Sequence, residues 1–275
     1  MITASAVNEL RKATGAGMMD CKKALQETNG DMEAAIDFLR KKGAKISANR
    51  ADRDAAEGAV IAAASDDKKT GVVIRLNCET DFVAKNDDFV AFAKEIASIA
   101  LKSKPASIEA LLTEKSGDLT LGEKVLDYIG KIGEKIEITC CEFVNGELVV
   151  PYIHAGNKIG VLVALNAASD DIENAGKNVA MQIAAMSPVA LDKNDVPQSV
   201  IDREIEIGKA QAAAEGKPEA MLEKIALGKL NKFYKDSTLL NQDYVKDSSK
   251  TVAQMLNDVH KGLTVLQFKR IQLGA

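Results

Sequence analysis

The sequence predicts an α+β chain in three parts, and three observations carry the prediction. Short amphipathic helices open the chain, a strand-strand-helix unit occurs twice in its middle, and a polar stretch near residue 200 reads as two helices broken at EGKP. The parts fall at 1–53 (helical bundle and linker), 54–143 (first core repeat) and 144–275 (second core repeat), with the hairpin at about 196–234.

The bundle comes first. Val7 and Leu10 mark one helix, GAG at 15–17 breaks it, Met18 to Leu25 form a second, and Asp31 caps a third whose Met32, Ala35, Ile36 and Leu39 share one face. Helices this short need one another to be stable. Met18 and Met19 read as gap-filling methionines; being adjacent, they cannot point the same way on a helix, so one of them is expected on the surface. The basic stretch RKKGAKISANRADR that follows fits either an exposed linker or an extension of the third helix. Residues 1–53 carry ten Lys or Arg and seven Asp or Glu, a net +3, which a solvated helix face accounts for.

From Gly58 the pattern becomes β. In TGVVIRLNC, Val72, Ile74, Leu76 and Cys78 alternate with Val73, Arg75 and Asn77, so antiparallel strands with two distinct faces are expected. A helix follows with Phe89, Phe92, Ala93, Ile96 and Ile99 on one side, then helical segments at 107–115 and 121–132, then strands at KIEITCCEFV and GELVVPYIH. KTGVVIRLN at 69–77 aligns without gaps on KIGVLVALN at 158–166, five of nine residues being identical, and each copy leads into an Ala- and Ile-rich helix. Duplication of one small unit explains this. The copies part just beyond the strand, where the first reads CETDFVAKND and the second AASDDIENAG.

In the last third, Ser199 is the expected N-cap of the hairpin's first helix, with Asp202 three residues on, and Pro218 opens the second. Ile201, Ile205, Met221, Leu222 and Ile225 form a narrow seam, the mark of a projecting coiled-coil arm. A helix, SKTVAQMLNDVH, and a strand, LTVLQFKRIQL, complete the chain.

Composition sets limits on function. The 275 residues are 46% hydrophobic and carry a net charge of -4 from 36 basic and 40 acidic side chains, unlike a generic binder of phosphate backbones, so no direct nucleic-acid partner is expected. The opening residues contain Glu9, Arg11 and Lys12 and no apolar run of signal-peptide or membrane-span length, which points to a cytoplasmic protein with no membrane partner. Cys21, Cys78, Cys140 and Cys141 lack C-x-x-C spacing and read as reduced packing residues. No phosphate loop, nucleophile elbow or zinc-protease motif occurs, and His154 and His260 neighbour no metal-spaced ligands. Asp87 and Asp88 suit a helix start better than an acid and base couple. The chain is therefore expected to bind rather than catalyse, with no cofactor and no metal. By pattern alone Phe82, seven residues before Phe89, is expected to share that residue's buried face.

TGAGMMDCKKAL at 14–25 and LNCETDFVAKND at 76–87 resemble the two signature segments of the elongation factor Ts family, and HAGNKIGVLVAL at 154–165 resembles a third family stretch. The resemblance covers nearly the whole chain. It implies a ubiquitin-associated-like N-terminal bundle and exchange of guanine nucleotide on elongation factor Tu. It also implies that Thr80, Asp81, Phe82 and Val83 enter the GTPase near its magnesium and dislodge the ion, with Arg11, Met18, Met19 and His154 as further contacts. The sister repeat does without an aromatic at the corresponding turn, so the shared fold does not require Phe82. Gln182 stands where the family often has histidine, and the chain ends at FKRIQLGA without the extra C-terminal helix of some members. The sequence leaves open a one-to-one complex and a dimer of heterodimers. A rival of another class, an adaptor for ubiquitin-like proteins or RNA, would use the bundle and its basic stretch but gives the Thr80–Val83 segment no purpose.

Overall fold

In the computed structural model, which describes residues 2–274, the bundle is built by its caps. Thr3 accepts a hydrogen bond from the Ala6 N–H (3.2 Å) to start α1 (Ala4–Thr14), and Gly15 ends it at φ +66°, a left-handed conformation that favours glycine. Then come α2 (Met18–Glu27) and α3 (Met32–Asn49), the latter begun by the Asp31 carboxylate accepting from the Ala34 N–H at 2.9 Å. Leu10, Cys21, Ala24, Leu25 and Ala35 are fully buried between the three helices.

The first core repeat runs β1 (Glu57–Ala64), β2 (Thr70–Cys78), a single turn α4 (Asp81–Ala84), α5 (Asp87–Ser103), α6 (Ile108–Thr113), a tight pair β3 (Lys115–Ser116) and β4 (Leu119–Thr120), α7 (Leu121–Ile132) and β5 (Ile136–Asn145). The second runs β6 (Leu148–His154), β7 (Ile159–Leu165), α8 (Asp170–Met186), the hairpin α9 (Gln198–Ala214) and α10 (Glu219–Ser237), a short pair β8 (Asp243–Tyr244) and β9 (Asp247–Thr251), α11 (Val252–Val259) and β10 (Val265–Gln272). The short pairs β3-β4 and β8-β9 are additions that no sequence alternation announces.

Both repeats make a three-stranded antiparallel sheet with the same plan, β1-β2-β5 in one and β6-β7-β10 in the other. The two faces read from β2 separate as expected. Val72, Ile74, Leu76 and Cys78 pack with Phe89, Phe92 and Ile96 of α5, whereas Val73 and the β1 residue Val60 meet Val149, Leu162 and Ala164 of the other sheet. The result is four layers, helix, sheet, sheet, helix, and burial of both sheet faces explains why these strands are so uniformly apolar. The paired glycines of the repeat permit the contact. A Cβ on Gly71 would come within 2.5 Å of Val149, and one on Gly160 within 2.6 Å of Val60.

The basic stretch after Arg40 takes the second of its two expected forms, an extension of the third helix as far as Asn49, because Gly43 lets α3 lie against α7; a Cβ there would collide with the Leu126 carbonyl oxygen. Two local expectations need correction. Ser199 does not cap the hairpin. Helix α9 starts two residues earlier than that cap implies, at Gln198 after Pro197, with no side-chain cap, and the Gln198 amide instead bonds Asp202 at 2.8 Å. The hairpin's buried seam consists of Gly208, Ala212, Ala226 and Leu230, while Met221 is exposed, because a Gly208–Ala226 approach brings the helices too close for large side chains between them.

Gln182 is fully buried on α8 and satisfied. Its amide nitrogen donates to the Gln242 side chain (3.1 Å) and the Asp243 carbonyl (3.0 Å), and its oxygen accepts from the Val245 N–H (3.0 Å). Gln242 in turn donates to the Asp236 carbonyl at the end of α10 (2.9 Å), so this buried amide pair fastens the root of the hairpin to the second repeat.

Candidate partner-binding turn

Strand β2 ends at Cys78, whose thiol is pushed up to about 12 by burial and by the neighbouring Glu134 carboxylate and so stays protonated. Beyond it the chain is gripped by two carboxylates. Glu134 accepts from the Glu79 N–H (3.2 Å), the Thr80 N–H (3.0 Å) and the Thr80 hydroxyl (2.7 Å). Glu79 itself accepts from the Lys135 N–H (2.7 Å) and, through both oxygens, from the Arg50 guanidinium (2.6 and 2.8 Å). Burial pushes the Glu79 carboxyl upward, but the Lys135 N–H and Arg50 outweigh it and hold the group below its ordinary range.

On this base Thr80 caps the single turn α4, its oxygen facing the Val83 N–H at 3.4 Å. Asp81 pairs with Lys85 one turn on (2.6 Å), an exposed pair whose hydrogen bond lowers the Asp81 carboxyl and raises the Lys85 ammonium. Val83 and Ala84 pack against the first repeat's core. Phe82 does the opposite and leaves 84% of its surface exposed. The expectation that Phe82 shares the buried face of Phe89 is therefore overturned. Asn86, which accepts from the Asp88 N–H (2.9 Å), starts a new helix, so α4 and α5 are not in phase and the seven-residue spacing carries no meaning across the break.

Met18 and Met19 are 54% and 72% exposed, so both, not one, stand on the surface. They begin α2 just after the α1–α2 turn, and the carbonyl of Arg11, also exposed, accepts from the Gly15 N–H that closes α1 (2.7 Å). Lys131 of α7 packs over Gly15 and reaches Asp88 at the start of α5 (3.9 Å), so the bundle's turn and the helix after Phe82 rest on one element. His154 ends β6, exposed, with Nδ1 3.1 Å from the Tyr152 hydroxyl. Just beyond it Lys158 meets Glu57 of β1 (3.4 Å), and Glu57 also adds, after Asp81, to the field on Lys85. Glu57 thus pairs with the His154 turn through Lys158 and acts on the Thr80–Val83 turn only through the field on Lys85. No spacing in the sequence could have found Glu134, Arg50 or Glu57; they reach the turn only through the fold.

Among the described residues no three His, Cys, Asp or Glu side chains are grouped to hold a metal ion, and no helix is long and apolar enough to cross a membrane. The cysteines are free, three of them buried.

The model of the family described as Elongation factor TS matches residues 79–275, from the gripped turn through the rest of the first repeat and all of the second. The chain belongs to the elongation factor Ts family. Among its relatives, Elongation factor Ts of Cytophaga hutchinsonii is 58% identical over 99% of each chain. Elongation factor Ts of Amoebophilus asiaticus is 54% identical over 100% of this chain and 99% of its own, and that of Flavobacterium psychrophilum 52% over 99% of each. For this elongation factor Ts family member, the alignment thus spans the bundle, the duplicated core and the hairpin together.

Proposed function

We propose that this chain is a guanine-nucleotide exchange factor for elongation factor Tu, acting in the cytoplasm by inserting the Thr80–Val83 turn beside the GTPase's magnesium and loosening GDP. The carrying observation is Phe82, a large apolar side chain 84% exposed on a turn that Glu134, Glu79 and Arg50 hold still. Leaving such a residue in water is unfavourable, and a rigid mount spares the ordering cost when it enters a partner.

The factor makes and breaks no covalent bond. It needs only to bind the nucleotide-free GTPase more tightly than the nucleotide-bound form, and by linkage the nucleotide weakens its binding equally. Shifting the partner from about 99:1 to about 1:99 takes ~5.5 kcal/mol of differential binding. Burying one phenylalanine supplies roughly 1.5 to 3 kcal/mol. The exposed Met18, Met19, Arg11 and His154 are the contacts we assign to the remainder. Magnesium bridges phosphate oxygens, so its displacement loosens the nucleotide without hydrolysis. The α9–α10 hairpin serves as a coiled-coil arm outside this contact.

The test is release of labelled GDP from the Tu·GDP complex. Micromolar factor accelerates release, and Phe82→Ala slows the accelerated rate by about tenfold or more, about 1.4 kcal/mol, while its circular dichroism and melting remain those of the parent. Absence of acceleration by the parent protein refutes the reading.

A further inference from the structure

Strand β1 is the outer strand of its sheet, bonded to β2 on one side only. The Ser65 N–H donates to the Thr70 carbonyl (2.8 Å), continuing the register in which Ile61 faces Ile74 and Ala63 faces Val72. Hydrogen-bonded pairs alternate in an antiparallel ladder, so Ser65, Ala63 and Ile61 direct their backbone groups at β2, and Ala64 and Ala62 direct theirs away from it. Among the described residues no hydrogen bond reaches the outward N–H or C=O of Ala62 or Ala64. These groups open into a groove of about 460 Å³ between β1 and helix α5, floored by Ile61, Ala63, Leu101 and Ile153 and rimmed by the exposed Lys94 and Lys102. Nearer its start the same edge is closed, because α4 lies against β1 and Ala59 and Val60 have no exposed surface.

An unpaired strand edge beside a helix, with alanines leaving room above the backbone, has the form that binds an extended peptide as an added strand. Backbone pairing supplies the recognition, alternate side chains enter the apolar floor, and the two lysines select acidic residues on the other face. The lining contains a single carboxylate, Asp66, at the turn.

We propose that the Ile61–Ala64 edge and the α5 groove form a docking site for an extended, acidic segment of a partner polypeptide, which adds to the first sheet as a fourth strand. This site is separate from the Thr80–Val83 turn and does not depend on the exchange reading. The probe is the synthetic peptide acetyl-Glu-Val-Glu-Val-Glu-Val-Glu-amide, titrated into the full-length, nitrogen-15-labelled protein. The expected result is saturable binding below about 1 mM, with shifts centred on residues 61–66 and 94–102 and slowed hydrogen exchange at the Ala62 and Ala64 amides. The double charge reversal K94E/K102E, on exposed helix positions, lowers affinity by tenfold or more and leaves the fold unchanged. Ala64→Pro, which removes one outward N–H at an edge that tolerates proline, also weakens binding. Absence of saturation, shifts mapping elsewhere, or equal affinity for K94E/K102E overturns the proposal and leaves the edge as one merely guarded by lysines against aggregation.

Discussion

The two core repeats share strand order, glycine placement and the position of the first covering helix, and differ in what they add at the joints. In the second, β7 passes to α8 through 166–169, and Ser169 caps the helix at once by accepting from the Ile172 N–H (3.3 Å). In the first, the chain spends 79–86 between β2 and α5, adding the turn α4 and the exposed Phe82. The second repeat places its insertion later, as the hairpin between α8 and α11. A duplicated frame thus carries different additions at its joints, where connecting segments vary most freely.

The sharpest way to test the contrast is to compare two phenylalanines seven residues apart. Phe89→Ala, emptying a fully buried site, costs about 3 to 5 kcal/mol in denaturant unfolding, whereas Phe82→Ala changes stability by no more than about 0.5 kcal/mol. Equal losses would mean that the added turn belongs to the core after all.

Next in size is the second repeat's own fastening. Gln182→Ala leaves the Val245 N–H and the Gln242 amide without their partner and costs about 1 to 3 kcal/mol. Hydrogen exchange is expected to rise first at the root of the hairpin, in 236–245, while the Thr80–Val83 turn keeps its protection. Loosening of both regions together would show that the additions are coupled.

Removing the grip on the turn is a smaller change in stability. Glu134→Ala loses three accepted hydrogen bonds at a partly exposed site, about 1 kcal/mol, and frees Phe82 without altering it. On the proposed function, exchange is expected to fall although the aromatic remains. If exchange is unaffected, the mount is irrelevant to the insertion.

The smallest effect is in pH. The Glu79 carboxyl titrates below its ordinary range in the folded protein, so its contribution is present above the unfolded value and is lost as pH falls through the folded one. Carbon-13 titration of Glu79 is expected to show this depressed midpoint, and Arg50→Ala moves it upward. An unmoved midpoint would leave the Lys135 N–H, with the Arg53 charge, as the cause.

Much of the fold was legible in particular residues. Asp31 announced a helix start, Gly15 a helix end, and the alternation of Val72, Ile74, Leu76 and Cys78 a strand with two faces, because capping and periodicity are local physics. The small seam of the hairpin was not legible, since Ile201 and Met221 satisfied the pattern while Gly208 and Ala226 governed how near the helices could come. At the candidate site the sequence offered Thr80–Val83 through resemblance, and pattern alone sent Phe82 the wrong way.

The sequence by itself determined the ends of the bundle's helices, the strand faces, the duplication and the family. Each depends on residues near one another in the chain, or on a match that needs no coordinates. Only the tertiary structure decided that Phe82 faces water and that its turn is anchored by Glu134 and Glu79. The groups responsible, Glu134 and Arg50, lie far away in sequence, and their carboxylate and guanidinium reach the turn only once α3, α7 and the first sheet have packed.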